Sequence, residues 1–319
     1  MSINRNDNVV STLLPLFEKG NKCNCIAWLG SGLSVPARYP TWIKTLDILC
    51  NACKVKKINK KYLSNVDLLL EKAEECKKKN KSIFHSKLAS LFGKKVVTTR
   101  RAYNIITSIP FKGYITTNFD PLLCMAARDN GNTDVFAYPR LKFTELGDPN
   151  KRPIYYIHGL AQKNGKPNGE NLVIAKSDFE KAYKDLKSQL KNVLFYYDVI
   201  FIGCRLDEPP MKYIFKEVRK AHEELLRETD LLLPKKYILL EEEGFYTETE
   251  KIDFLKAIER ANVEKDKSER RKYEEMGIEA LKYNASKEHS NIEDILSNIW
   301  ETIQRMPKYP LSGLRSKRK

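Results

Sequence analysis

Several things are scarce in this chain, and each scarcity excludes something. No run of about 18 apolar residues occurs, so no transmembrane helix and no membrane partner are expected. The first twenty residues start polar and turn amphipathic, without the basic start, apolar stretch and cleavage site of a signal peptide. A cytoplasmic location is therefore expected. Only four histidines are present, at positions 85, 158, 222 and 289. The seven cysteines are scattered, and the close spacings are Cys50-x-x-Cys53 and Cys23-x-Cys25. Structural zinc takes two matched pairs, so no zinc is expected. Cys25 opens a strand, and Cys50 and Cys53 share one face of an amphipathic helix as buried free thiols. Internal repeats and long linkers are missing too, which favours one domain with an insertion over two separate ones.

Acidic residues are sparse in one stretch. Residues 51–101 hold 15 Lys/Arg against 4 Asp/Glu, a net +11 out of +16 for the chain. Runs such as Lys77-Lys78-Lys79 and Lys60-Lys61 suit nucleic acid or an acidic partner protein. The plain alternative is a solvated helical face. Aromatic interleaving of the kind that lines a single-strand groove is limited here to Tyr62 and Phe84.

What is present is a layered pattern. The chain is 42% apolar, enough for a sizeable core. Residues 7–19 have helical spacing. Short apolar runs at 25–29, 113–117, 134–137, 153–157, 172–174, 198–202, 236–240 and 278–283 read as strands, the last as an edge strand. A helix is expected from near Pro121, one after Ser177 with Glu180 closing a capping box, one near 209–227, one over 248–275, and one from Ser290 with Glu293 as its box partner. Residues 43–109 show helical periodicity and no strand. The fold class expected is α/β: a Rossmann-like, mostly parallel sheet flanked by helices, with an inserted helical module. The boundaries are 1–305 for the domain, 43–109 for the insertion and 306–319 for a basic tail.

Three motifs come directly after apolar runs: Gly30-Ser31-Gly32-Leu33-Ser34, Thr116-Thr117-Asn118-Phe119-Asp120 and His158-Gly159. All three fall at strand ends, where open α/β sheets bind nucleotides. Glycines at 30 and 32 permit a tight turn and a close approach to a pyrophosphate, with helix N-terminal amides facing its charge. There is no third glycine, and position 35 is Val, which argues against an ordinary dehydrogenase. His85, His222 and His289 lack such a setting. Taken singly, His158 and Asn118 would pass as structural residues, and Asp207, before Pro209-Pro210, as a helix cap.

In order, the motifs resemble the sirtuin family. Gly30-Ser-Gly-Leu-Ser34 with Pro40-Thr-Trp42 resembles Gly-Ala-Gly-x-Ser…Pro-x-Phe/Trp. Thr116-Thr-Asn-Phe-Asp120 resembles the Thr-Gln-Asn-Ile-Asp box, and His158-Gly159 the His-Gly pair. Gly203-Cys-Arg-Leu-Asp207 is similar to the element that contacts the adenosine half. The two Cys-x-x-Cys pairs that protein-deacylating sirtuins carry after His-Gly are missing, since Cys204 is the one cysteine after His158. The helical insertion resembles bacterial sirtuin-like domains of antiviral defence systems.

That resemblance implies an NAD hydrolase, releasing nicotinamide and ADP-ribose in an abortive-infection defence, with NAD as substrate and no zinc. It implies Asn118 and His158 as catalytic residues. Asn118 can hold a water or a ribose hydroxyl, and His158, with an ordinary pKa of about 6.5, can act as a base. Gly30, Ser31, Gly32, Ser34, Trp42, Thr117, Asp120, Gly203 and Asp207 are implied as NAD-binding, Asp120 by orienting its loop or meeting nicotinamide through its backbone. No sensor domain is expected after residue 305. The resemblance therefore implies a homo-oligomer triggered by another polypeptide, such as a HerA-type ATPase or an Argonaute-like protein, with nucleic acid reached through that partner or the basic insertion. Three other readings stand beside it. One is a non-catalytic NAD or ADP-ribose sensor, against which the retention of both Asn118 and His158 counts. Another is a deacylase or ADP-ribosyltransferase, against which the missing cysteines count. The last is a nucleic-acid-binding protein built on the basic insertion.

Overall fold

The computed structural model describes residues 5–18, 23–59, 63, 65–93, 101–130, 134–163, 165–229, 231–242, 270–284 and 290–306. Lys60-Lys61, Tyr62, most of the helix expected over 248–275 and nearly all of the basic tail lie outside these residues; a helical turn is described at 270–275.

Among the described residues seven strands form one sheet: β1 (Cys25–Leu29), β2 (Gly113–Thr116), β3 (Val135–Ala137), β4 (Ile154–Tyr156), β7 (Asp198–Ile202), β8 (Lys236–Glu242) and β9 (Glu279–Asn284). Their order is β3-β4-β2-β1-β7-β8-β9, and every neighbouring pair is parallel. A small antiparallel hairpin, β5 (Gln162–Lys163) with β6 (Lys166–Pro167), stands apart from it. The central strand shows why its sequence is apolar throughout. Cys25, Ala27 and Leu29 enter one core cluster while Ile26 and Trp28 enter the other. Side chains alternate between the two faces of a strand, and a parallel sheet is covered on both. At about 1.5–3 kcal/mol per large apolar side chain removed from water, the central strands anchor both layers. Among the described residues β9 is an edge strand, paired on one side with β8.

The run Leu172–Ile174 is not a strand. It is buried, and the Val173 amide donates to the His158 carbonyl at 2.8 Å. The segment is laid along the loop after β4 and so has no place in the sheet.

Between β1 and β2 the described residues hold four helices: α3 (Trp42–Cys53), α4 (Val66–Lys79), α5 (Lys81–Phe92) and α6 (Arg101–Ser108). Thr41 caps α3, Asn65 caps α4 and Asn80 caps α5, each accepting from the amide three residues on. Most of their buried residues, Leu49, Ala73, Leu88 and Ile106 among them, belong to the core cluster of Cys25, Ala27 and Leu29, while Leu70 of α4 joins the other. On that face also lie α1 (Arg5–Leu13), α2 (Pro15–Glu18), α7 (Leu122–Asp129) and α10 (Ser290–Arg305). The opposite face is covered by α8 (Lys176–Tyr196) and α9 (Pro209–Glu228).

Ser177 is not the cap of α8. The cap and the helix start lie two residues earlier, at Ala175 and Lys176, and the Ala175 amide donates to Asp178 at 3.1 Å. The Ser177 hydroxyl and amide both go to Glu74 of α4, at 2.6 and 3.0 Å. Lys77 pairs with Asp178 at 2.5 Å and Lys176 with Glu71 at 3.0 Å. Much of the charge on α4 therefore fastens it to α8. Lys77 in particular is engaged inside the protein and does not stand free on a solvated face.

Candidate active site

From β1 the chain passes to β2 on one side and later returns to β7 on the other, so the order reverses between β1 and β7. The crevice at the carboxyl ends of such strands is where an open α/β sheet binds its ligand. Gly30 and Gly32 of the β1 loop meet Gly203 of the β7 loop there. The Gly30 amide donates to Ile202 O at 2.9 Å and the Gly32 amide to Gly203 O at 3.1 Å. A Cβ on Gly30 would fall 2.3 Å from the Gly203 carbonyl oxygen, and one on Gly32 3.0 Å from the Gly203 Cα. Gly203 itself has φ +67, a backbone region open chiefly to glycine. In this structure the glycines serve the contact of two loops. Gly30 leads into a single 3-10 turn, Ser31–Leu33, and the next α-helix begins only at Trp42. The amides of Leu33 and Ser34 bond back within that turn, to Gly30 and Ser31.

Beneath the turn lies a buried polar network. Ser34, Asn118 and Asp120 are 2%, 6% and 3% exposed. Thr116 holds the loop after β2: its hydroxyl donates to Leu29 O at 2.9 Å and accepts from the Asn118 amide at 3.0 Å. The Asn118 side-chain NH2 donates to Gly30 O at 3.0 Å and to the Tyr103 hydroxyl at 3.0 Å, with Ser34 Oγ at 3.3 Å. Ser34 donates to Asp120 Oδ2 at 2.8 Å and lies 2.8 Å from the Tyr103 hydroxyl. Asp120 Oδ1 accepts from the Leu122 amide. Burial pushes the Asp120 carboxyl up to about 6, with Ser34 and the Leu122 amide partly opposing the rise. The carbonyl oxygen of Asn118 is buried and has no partner among the described residues.

His158, 3% exposed, is reached through β4. Its Nε2 lies 3.0 Å from the Tyr183 hydroxyl of α8, and its ring meets Phe179 edge-on at 5.1 Å. Burial lowers its pKa to about 3, so the ring is neutral near pH 7. Tyr183 is pushed well above its ordinary value by burial and keeps its proton. The loops carrying Asn118 and His158 are joined by the Ala161 amide, which donates to Phe119 O at 2.8 Å. Among the described residues no hydrogen bond links the two side chains themselves.

The other expected residues are dispersed. Trp42 is the first residue of α3 and packs half-buried against both core clusters. The Thr117 amide donates to Leu29 O at 3.4 Å, and Ser31 is exposed. Asp207 does not cap α9; Glu208 holds the cap position, without a side-chain bond. Asp207 instead accepts from Lys272 at 2.6 Å. Two residues of the site were not expected from sequence: Tyr103, bonded to Asn118 and Ser34, and Tyr183, bonded to His158. Tyr103 and Tyr183 sit at buried positions of amphipathic helices, where a tyrosine is indistinguishable from any large apolar residue. Among the described residues no group of three or more His, Cys, Asp or Glu side chains is placed to hold a metal. Cys50 lies 3.7 Å from Cys76 and both are buried.

Comparison with known proteins bears on this arrangement. A family model described as "SIR2-like domain" matches residues 112–280. Among curated proteins, the NAD(+) hydrolase ThsA of Enterococcus faecium is 26% identical over 214 residues, 63% of this chain and 41% of that protein. The NAD(+) hydrolase ThsA of Bacillus cereus (strain MSX-D12) is 24% identical over 217 residues, 66% of this chain and 43% of that protein. The chain thus spans about two fifths of the length of these relatives. Among solved structures, a Sir2 homologue in complex with NAD aligns over 92% of this chain and 94% of its own, at 11% identity and a TM-score of 0.38. A mutant Sir2 homologue in complex with ADP-ribose aligns over 92% and 98%, at 11% identity and a TM-score of 0.44. The family match covers just over half of the chain, from the residue before β2 into β9, and takes in Asn118, Asp120, His158, Gly203 and Asp207. This chain belongs to the SIR2-like domain family.

Proposed function

We propose that this chain is the NAD-hydrolysing domain of an antiviral defence effector, converting NAD and water to ADP-ribose, nicotinamide and a proton. The observation that carries the reading is the Asn118 carbonyl oxygen, a buried acceptor left without a partner at the switch point of the sheet. A buried acceptor in that state costs about 1–3 kcal/mol, which a ligand donor removes. A ribose hydroxyl or the attacking water supplies one. The names of the ThsA relatives support NAD as the ligand.

The leaving nicotinamide departs from a pyridinium, so the C–N bond breaks without a strong acid. What the site must provide is a dry pocket, an oriented amide carbonyl and a water. His158 contributes as a neutral ring, an acceptor or donor to the ribose or water, and not as an imidazolium. We further propose that the active form is a homo-oligomer switched on by a separate polypeptide, a HerA-type ATPase or an Argonaute-like protein.

One observation favours a second reading, a sensor that binds NAD or ADP-ribose without cleaving it: His158 is held by Tyr183 and is too weakly basic to take a proton near pH 7. The experiment that separates the two is incubation of the purified full chain, in its assembled form, with NAD. Release of equal amounts of nicotinamide and ADP-ribose supports the hydrolase, and Asn118→Ala and His158→Ala should each abolish it without altering the fold. Tight binding with no nicotinamide supports the sensor. Wild-type turnover in either variant removes the proposed roles.

A further inference from the structure

We propose that Tyr103, on the last helix between β1 and β2, is a positioning residue that sets the amide of Asn118 for its ligand. The inference rests on the NAD-hydrolase reading and extends it to a residue outside the motifs. The Gly30 carbonyl is only an acceptor, so the Asn118 group facing it at 3.0 Å must be the NH2. The second hydrogen of that NH2 has the Tyr103 oxygen at 3.0 Å, closer than Ser34 Oγ at 3.3 Å. The Tyr103 proton then goes to Ser34 Oγ at 2.8 Å, and the Ser34 proton to Asp120 Oδ2 at 2.8 Å. With Asp120 ionised, every hydrogen has one acceptor and the direction is unique, from Asn118 through Tyr103 and Ser34 to Asp120. The amide is held at two points, and only its carbonyl oxygen remains for a ligand. Tyr103 is 2% exposed and lies beneath that amide.

Two features keep the Tyr103 hydroxyl in place. Helix α6 buries Ala102, Tyr103, Ile106 and Thr107 along one side. Its first residue, Arg101, pairs with Glu293 of α10 at 3.5 Å. The helical segment between β1 and β2 is therefore part of the site, because it supplies the hydroxyl that completes the Asn118 bonds. Without that hydroxyl the second N–H must turn toward Ser34, and the carbonyl oxygen turns with it.

Tyr103→Phe removes one oxygen and keeps the ring. In the assembled full chain we expect kcat for nicotinamide release to fall roughly tenfold to a hundredfold, the scale of a small misplacement of a catalytic group. We expect KM, and the Kd for ADP-ribose read by calorimetry, to change less than threefold. Ser34→Ala, which takes away the Tyr103 acceptor without touching the ring, should lower kcat by less, and the double variant should fall short of the product of the two losses. Ser34→Ala alone provides the test should Tyr103→Phe not fold, and wild-type kcat in it would then overturn the inference. An active wild type matched in kcat by Tyr103→Phe overturns this inference alone. So does a rise in KM at unchanged kcat, which would make Tyr103 a substrate contact. A wild type that releases no nicotinamide overturns the hydrolase reading, and this inference with it.

Discussion

Asp120→Asn tests the buried network without reference to any activity. Asp120 is 3% exposed, and burial raises its carboxyl from the ordinary 3.8 to about 6. At 1.36 kcal/mol per pH unit, that rise corresponds to about 3 kcal/mol between the two protonation states. Linkage sets the sign. The folded pKa lies above the unfolded one, so the stabilising contribution is complete below about pH 3.8 and is lost as pH rises through about 6. The wild type therefore carries a charged, desolvated carboxylate at neutral pH. The asparagine does not titrate, so every other group cancels when the two proteins are compared at each pH. We expect the stability of Asp120→Asn relative to wild type to rise by about 3 kcal/mol from pH 3.5 to pH 7, most of it between pH 4 and pH 6.5. Urea unfolding of both proteins across that range measures the difference directly. A constant difference over the range would mean that Asp120 titrates normally, and that the network around Ser34 and Tyr103 is more hydrated than its burial implies.

Four further outcomes concern the loop contact, the α4–α8 contact and the cysteines. Gly30→Ala should cost about 3 kcal/mol or more, because a Cβ 2.3 Å from the Gly203 oxygen must force the two loops apart; thermal unfolding within a degree of wild type would refute the interlock. Lys77→Glu should cost about 2 kcal/mol, since it replaces the partly buried pair with Asp178 by repulsion. Lys79→Glu, on an exposed position, should stay within about 0.5 kcal/mol in the same unfolding assay. The purified protein should contain no stoichiometric zinc by elemental analysis, and one zinc per chain would revive the deacylase reading.

The strands and their motifs were legible because their causes are local. Cys25–Leu29 and Asp198–Ile202, apolar but for Asp198, are short runs each followed by a glycine, and a parallel sheet covered on both faces needs such runs. The edge position of β9 showed in its alternation, with Lys282 between the buried Leu281 and Tyr283. Leu172–Ile174 misled because a buried loop and a buried strand share one composition. Ser177 misled because a hydroxyl at a helix start can cap that helix or, as here, reach a carboxylate 103 residues away.

At the site, sequence order alone placed Gly30, Asn118, His158 and Gly203 at strand ends, since a motif directly after a parallel strand must emerge at its carboxyl edge. It could not say what those residues touch. That Gly30 and Gly32 receive another loop, that Lys77 is spent on Asp178, and that His158 is neutral against Tyr183 are consequences of packing. Tyr103 is the clearest instance. In the sequence it is one more large residue on the buried side of a helix. Only the folding of α6 over the carboxyl end of the sheet brings its hydroxyl to Asn118 and Ser34, because hydrogen bonds between residues 15 and 69 positions apart exist only once the layers close.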